Sequence, residues 1–499
     1  MNIPEYMRYI ACLLFGCVLA LQLYTMDRDE RKLSKKRGNR QLYTPAISPY
    51  LIPIFLVLAI SLQFFYQGYE RPIDVLLPLF LKITVHLSIY YTVLLLLLPL
   101  LRKKISARVC AALWVLPNIL YLAENKLLVP QQPLFILETS LKFTYGIIRI
   151  WFIGTLAVLF WHIIRHLTFR HKLLKNAKAI YDRRIVSIWE DVLTAANFKK
   201  PYFCLVQSPD TATPLSVGFF KKTIRVILPC REYTDQELYL IFRHELVHIG
   251  RQDSGTKFFM VFCSSLCWFN PLMWFAVRHN AADMELSCDE TVLLDQNDEI
   301  RKQYAELLLH TAGDDRGFST CLSASARTMR YRLAHTLKPR KRFLGALAAG
   351  ITMFMLLSTC GLIAISYDPV TGQECIFGSD QPTIEDTLIY TDSGTQQALE
   401  CTNISGFQAY LSERTFLKLS GNYTYPDDTA HLSFRYAKSG YRSDGKYVSN
   451  YTVEIMLSEH MLTVIEYTGW PKIQTYYHND EIDWAYLQSL LVPQQSPQT

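Results

Sequence analysis

Charge is scarce in this chain. Asp, Glu, Lys and Arg make up 19% of 499 residues against 50% hydrophobic ones, whereas soluble domains carry about 25% charge. No GxxxxGK[ST] phosphate loop occurs, which excludes an ATP-driven protease of the Walker type. The first apolar run lacks a basic patch before it and a small-residue cleavage site after it, so it reads as a retained span rather than a cleaved leader. Cysteine is sparse toward the C-terminus. Cys375 and Cys401 are the only two in 367–499, where a disulfide between them is weighed against two free thiols.

What is abundant is long apolar sequence. Stretches at 5–25, 46–66, 80–101, 106–123, 143–164 and 343–366 are read as six spans. The fourth is short and contains Pro117 and Asn118, which leaves a re-entrant path open. Lys and Arg cluster on alternate loops: at 28–40, at 102–108, at 165–184 and at 338–342, while 67–72 and 124–142 hold few. The positive-inside rule then places the N-terminus and 367–499 outside and 165–342 in the cytoplasm. Most of the net charge of +7 is juxtamembrane and faces anionic lipid, so no nucleic-acid partner is called for. Lys82 and Arg149 sit near span ends, where their stems reach outward; His86 lies deeper.

His244-Glu245-Leu246-Val247-His248 is an HExxH motif. On a helix, i and i+4 share a face, so both imidazoles can grip one zinc ion while Glu245 acts as general base. Thr234 and Glu237 form a capping box for that helix, Leu238, Ile241, Phe242 and Leu246 give it an apolar face, and Gly250 is the expected stop. A third ligand is required, with a fourth position open for water. Glu285 in Glu285-Leu286-Ser287-Cys288-Asp289-Glu290 is the candidate, with Asp289 one turn on to orient a ligand imidazole from behind. His279, Asp283, Asp289 and Glu290 compete for the ligand position. Cys288 would close the site if it were a ligand, so it is read as a small buried residue instead. Residues 258–277 are also apolar, but one crossing there would strand Glu285 across the bilayer from the histidines. They must turn back, at Asn270-Pro271, or lie against the membrane face.

Pro214-Leu215-Ser216-Val217-Gly218, Val226-Ile227-Leu228-Pro229, HExxH, Asp253, Trp268-Phe269-Asn270-Pro271-Leu272 and Glu285-Leu286-Ser287-Cys288-Asp289-Glu290 occur in that order. Over residues 140–345 this resembles the BlaR/MecR-type membrane zinc metallopeptidases, a gluzincin family of bacteria. The resemblance implies zinc on His244, His248 and Glu285, Glu245 as base, Asp289 behind the ligands, and a plasma-membrane location. It also implies that an external sensor drives a cytoplasmic peptidase against a DNA-binding repressor, with self-cleavage in the linker; Gly317–Ser319 is a candidate cut. Segment 367–499 is much shorter than a penicillin-binding sensor, and Lys438-Ser439-Gly440 alone is too weak a match, so covalent beta-lactam sensing is set aside.

That segment is Tyr-rich, with strand patterns at 447–455, 461–467 and 473–477, turn signals between them and a terminal helix near 480–491. The expected fold is a multi-span α-helical membrane protein. It carries a mainly helical zincin-type (gluzincin) cytoplasmic peptidase domain and a small C-terminal extracytoplasmic β-rich domain. Its parts are 1–164 (membrane domain), 165–342 (peptidase and linker), 343–366 (last span) and 367–499 (sensor candidate). The expected activity is a zinc metalloendopeptidase with one Zn2+ per chain, acting as a signalling receptor on a protein substrate such as a repressor. A membrane quality-control protease and a non-catalytic scaffold are the alternatives, and a homodimer is left open. Tyr304 and His279 are the candidates for stabilising the oxyanion.

Overall fold

The structure is a computed structural model describing residues 5–35, 51–67, 70–102, 104–123, 128, 130, 133–139, 141–198, 204–219, 221–294, 296–312, 332–334, 345–366, 369–378, 387–392, 395–419, 430–441, 447–467, 473–479 and 482–493. The candidate cut at Gly317–Ser319 and the tail after Pro493 lie outside these.

Apolar sequence in lipid must satisfy its own backbone, which favours helices. Helices α1 (Glu5–Lys35), α2 (Leu51–Gln67) and α3 (Glu70–Leu101) come first. The fourth stretch breaks where Pro117 cannot donate to a helix: α4 (Ala107–Val115), a 3-10 turn (Leu116–Ile119) and α5 (Leu120–Ala123). A short strand β1 (Phe135–Glu138) precedes the long α6 (Leu141–Lys175). Among the described residues, Tyr6–Met26, Leu79–Leu101 and Gly146–Lys175 are long and apolar enough to cross a membrane. Their exposed Leu13, Leu96, Ile153 and Phe160 suit a lipid surround. Against the expectation of six spans, α2 has 17 residues and the last helix, Gly345–Ser358, only 14. Within the stretch 343–366, Gly345–Ser358 is helix and Ile363–Ser366 is a strand. Lys82 is buried rather than reaching outward.

Helix Gly345–Ser358 crosses α1 closely. A Cβ on Gly16 would lie 2.7 Å from the Gly350 carbonyl oxygen, so only a glycine allows this approach. Arg8 donates to the Ser358 carbonyl at 2.9 Å, joining the start of α1 to the end of the last helix.

The middle of the chain forms β2 (Lys178–Ala179), α7 (Arg183–Ala195), β3 (Cys204–Ser208), β4 (Leu215–Val217), β5 (Arg225–Pro229), α8 (Asp235–Arg251), α9 (Asp253–Leu266), α10 (Pro271–Val292) and α11 (Asp298–Ala312). It is mainly helical but holds a small sheet in the order β2-β3-β5-β4, with β4 at an edge. The Thr234–Glu237 capping box opens α8, and Leu238, Phe242 and Leu246 pack on Trp189 and Val226. The helix does not stop at Gly250. It runs to Arg251, and Gln252, in the left-handed region at φ 56°, turns the chain directly into α9. Residues 258–277 are two helices, turned back at 267–270. That corner is locked against α6: Trp151 Nε1 donates to the Leu266 carbonyl (2.6 Å) and Trp268 Nε1 to the Trp151 carbonyl (3.3 Å). Asn270 caps α10 and donates to Ser88 Oγ of α3 at 2.9 Å.

The C-terminal region is one sheet. Its strands are β6 (Ile363–Ser366), β7 (Val370–Thr371), β8 (Thr387–Asp392), β9 (Thr395–Cys401), β10 (Thr415–Leu419), β11 (His431–Tyr441), β12 (Tyr447–Leu457), β13 (Met461–Tyr467), β14 (Ile473–His478) and β15 (Leu491–Pro493). Strands β11 to β14 form a consecutive antiparallel meander, and Leu432, Phe434, Val453, Ile455 and Leu462 bury its apolar side. The terminal helix is Trp484–Ser489. Cys375 and Cys401 are free thiols, not a disulfide. Ser443-Asp444-Gly445-Lys446 has a Ser-x-x-Lys spacing, but it joins β11 to β12 and lies outside the described residues. Unforeseen in the sequence, β1 joins this sheet parallel to β6, pairing Phe135 with Ile363 and Glu138 with Ser366.

Candidate metal centre

Helix α8 sets His244 and His248 one turn apart, and the α9–α10 hairpin returns Glu285 to face them. The two Nε2 atoms are 3.1 Å apart, and Glu285 Oε2 lies 3.5 Å from that of His244 and 3.4 Å from that of His248. Donors about 2.0–2.1 Å from a tetrahedral zinc ion are separated by about 3.3–3.4 Å. Two nitrogens and one carboxylate oxygen at this spacing fit such an ion and leave one position toward the cavity. Glu245 is buried and lines the same cavity. The competing residues are engaged elsewhere. Asp283 accepts from Arg102 (2.7 Å) and Trp114 (2.9 Å), and Glu290 accepts from the Ala107 N–H (3.1 Å). His279 bonds the Phe275 carbonyl and stacks near Trp114, so it is not brought to the centre.

The outer nitrogens of both imidazoles are held. His248 Nδ1 meets Asp253 Oδ2 at 2.7 Å, a contact made by the left-handed Gln252 that brings Asp253 back under the ring. Cys288 Sγ lies 3.3 Å from the same Nδ1, on the side away from the three donors. Burial pushes its thiol up to about 11, so it stays protonated. On the other ring, His244 Nδ1 is 2.9 Å from the Tyr304 hydroxyl, which donates to Asp289 Oδ1 at 2.6 Å. Asp289 thus backs His244 in two ways: its Oδ1 lies 3.5 Å from Nδ1 directly, and it also accepts from the Tyr304 hydroxyl that meets the same nitrogen. The Tyr304 hydroxyl, a candidate for the oxyanion, is engaged by both of these residues. Arg332 grips Asp289 with Nε and Nη2, both at 2.7 Å.

Burial alone would raise the Glu285 carboxyl, but His248 and Lys257 beside it hold it well below the usual range. Lys257 Nζ is 3.2 Å from Glu285 Oε1. Burial likewise disfavours charge on His248, yet the Glu285 carboxylate and the bond to Asp253 raise its pKa well above the ordinary value. An anionic pocket of this kind draws a cation, whether proton or metal.

A cavity of about 740 Å³ opens over the cluster. Its walls include His162, His166 and Phe169 of α6, the edge strand β4, Lys257 and Arg332. Gly218, at φ 127°, closes β4; a Cβ there would meet the Thr223 carbonyl at 2.5 Å. Sequence reasoning assigned no role to Asp253, Lys257 or Arg332. Asp253 entered only as one member of the series of motifs that carries the family resemblance; the other two carry no local signal.

Residues 123–340 match the family described as BlaR1 peptidase M56. The chain is 24% identical over 183 residues to "Regulatory protein BlaR1" of Bacillus licheniformis, covering 37% of this chain and 30% of that protein. It is 27% identical over 177 residues to "Methicillin resistance mecR1 protein" of Staphylococcus aureus, covering 34% and 29% respectively. The likeness therefore spans less than a third of those relatives.

Proposed function

We propose that this chain, of the BlaR/MecR type over residues 123–340, is a membrane zinc endopeptidase that cleaves a protein substrate in response to a signal. The observation that carries the reading is the convergence of His244 Nε2, His248 Nε2 and Glu285 Oε2 within 3.5 Å of one another. His244, His248 and Glu285 would hold the ion. The chemistry such an ion supplies is a water of lowered pKa and a polarised scissile carbonyl. Glu245 takes the proton of the attacking water and passes it to the departing amine. Asp253 on His248, and Asp289 on His244 both directly and by way of Tyr304, would fix the tautomer of each imidazole so that Nε2 is left to hold the ion. Among the described residues β4 is an edge strand, and its outer side can pair an extended peptide through main-chain hydrogen bonds, setting a scissile bond beside Glu245.

The receptor part of the reading is supported by continuity. Strand β1 belongs to the C-terminal sheet, and α6, which follows it, reaches the cavity wall at His162 and His166. A change in the sheet therefore has a rigid route to the site. The pairing of β1 with β6 is also what the charge bias asks, since it assigns both segments to one side of the membrane. We place the sheet outside, the peptidase in the cytoplasm and a repressor or regulator as substrate.

The test compares new protein N-termini in cells carrying wild type and Glu245→Ala. Loss of one or two fragments from a DNA-binding regulator is expected. Loss of many membrane-protein fragments would replace the receptor with a housekeeping protease, and no difference would remove the enzyme altogether.

A further inference from the structure

We infer that Arg332 is a positioning residue for the metal centre, fixing His244 through Asp289, which meets that imidazole both directly and by way of Tyr304. The inference rests on the zinc reading above and concerns what completes its outer shell. The site's other residues all come from the run α8 to α11. Arg332 comes instead from a short helical stretch at 332–334, beyond the end of α11 and on the way to the last apolar helix.

The Arg332 side chain is 5% exposed and that of Asp289 2%, and both bonds between them are 2.7 Å. A planar fork matched to a carboxylate holds that carboxylate in one orientation. Asp289 Oδ1 is thereby aimed at the Tyr304 hydroxyl (2.6 Å), leaving the phenol oxygen to accept from His244 Nδ1 at 2.9 Å. Each bond in the series sets the direction of the next, and the last leaves Nε2 of His244 as the donor toward the ion. Without Arg332, a buried carboxylate loses its counter-charge and must rotate or take a proton. Tyr304 then loses its fixed acceptor, and His244 its fixed tautomer. Metal retention is thus tied to the placement of the segment that enters helix Gly345–Ser358.

Zinc affinity would be measured by chelator competition on the full chain in detergent, for wild type, Arg332→Ala, Arg332→Lys, Asp289→Asn and the Arg332→Ala/Asp289→Asn double variant. Arg332→Ala should bind zinc about 10–100-fold more weakly, the range for loss of an outer-shell partner. Arg332→Lys, which keeps the charge but not the fork, should fall between. The double variant should bind no more weakly than Asp289→Asn alone, because Arg332 acts through Asp289. Wild-type affinity in Arg332→Ala, or independent losses that multiply in the double variant, overturns the inference. If Arg332→Ala does not fold, unchanged affinity in Arg332→Lys overturns it equally. A wild type that binds no zinc fails the metal reading itself, a distinct result.

Discussion

Around α8 and α10 charged groups are buried against one another, whereas in the C-terminal sheet they are mostly kept at the rim. Glu245, Asp253, Asp283, Glu285, Asp289 and Arg332 are all buried in the first region. In the second, Glu466 is the only buried carboxylate among the described residues, and the interior is Phe, Tyr, Ile, Val and Leu. Burying charge opposes folding unless it is paired, and a protein keeps such groups where chemistry needs them. The sheet buries mostly apolar groups, whereas the helical region buries charge that opposes folding unless it is fully paired.

The comparison breaks most sharply at a ligand. His248→Ala should take zinc from one ion per chain to none and proteolysis to background, as prolonged chelation should in the wild type. Metal analysis of the purified chain reads this directly. A variant that still carries one ion per chain would mean that the centre is elsewhere.

Next in size is a change confined to the sheet. Phe416 is fully buried there, and Phe416→Ala should cost about 3–5 kcal/mol of that region's stability. Zinc content should stay at the wild-type level, since the route from β1 through α6 reaches the cavity wall and not the ligands themselves. Limited proteolysis and metal analysis on the same sample separate the two, and a coupled loss of metal would show that the regions are not independent. A smaller effect is expected behind the ligands. Asp253→Asn keeps the shape under His248 but removes the charge, and should weaken zinc binding about tenfold, the low end for such partners. An unchanged chelator-competition curve would leave Asp253 as packing only.

How much of this was legible in the sequence follows from how far apart the partners lie. His244 and His248 share one helix turn, and Thr234 and Glu237 one cap, so spacing alone yields them. Glu285 required the chain to turn back at Asn270-Pro271, and the demand that one site not straddle a bilayer supplied that turn. The strands at 447–457, 461–467 and 473–478 were readable from alternation. The rest depends on contacts that no local pattern encodes. Four residues at 135–138 do not announce a partner at 363–366. Tyr304 and Arg332 reach Asp289 from separate elements, and an arginine in a basic stretch looks like any solvated cation. The helix stop at Gln252 was missed because glycine is the expected left-handed residue; here the turn that Asp253 needs imposes that conformation on a glutamine.

The smallest predicted effect uses a second arginine fork as its own control. Arg435 donates to Glu454 Oε1 from Nε at 2.9 Å and Nη2 at 2.7 Å, close to the distances between Arg332 and Asp289. Two things differ: both Arg435 nitrogens share one Glu454 oxygen where Arg332 engages both oxygens of Asp289, and the Arg435 side chain is 64% exposed, that of Arg332 5%. Water already satisfies an exposed guanidinium, so Arg435→Ala should change the stability of the sheet by no more than about 1 kcal/mol. Removing one partner of a buried pair instead leaves a charge with no solvent, at about 3–5 kcal/mol. Thermal unfolding of Arg435→Ala and Arg332→Ala side by side tests this. Equal losses would mean that burial does not set the value of these pairs, and the contrast between the two regions would have to be redrawn on geometry alone.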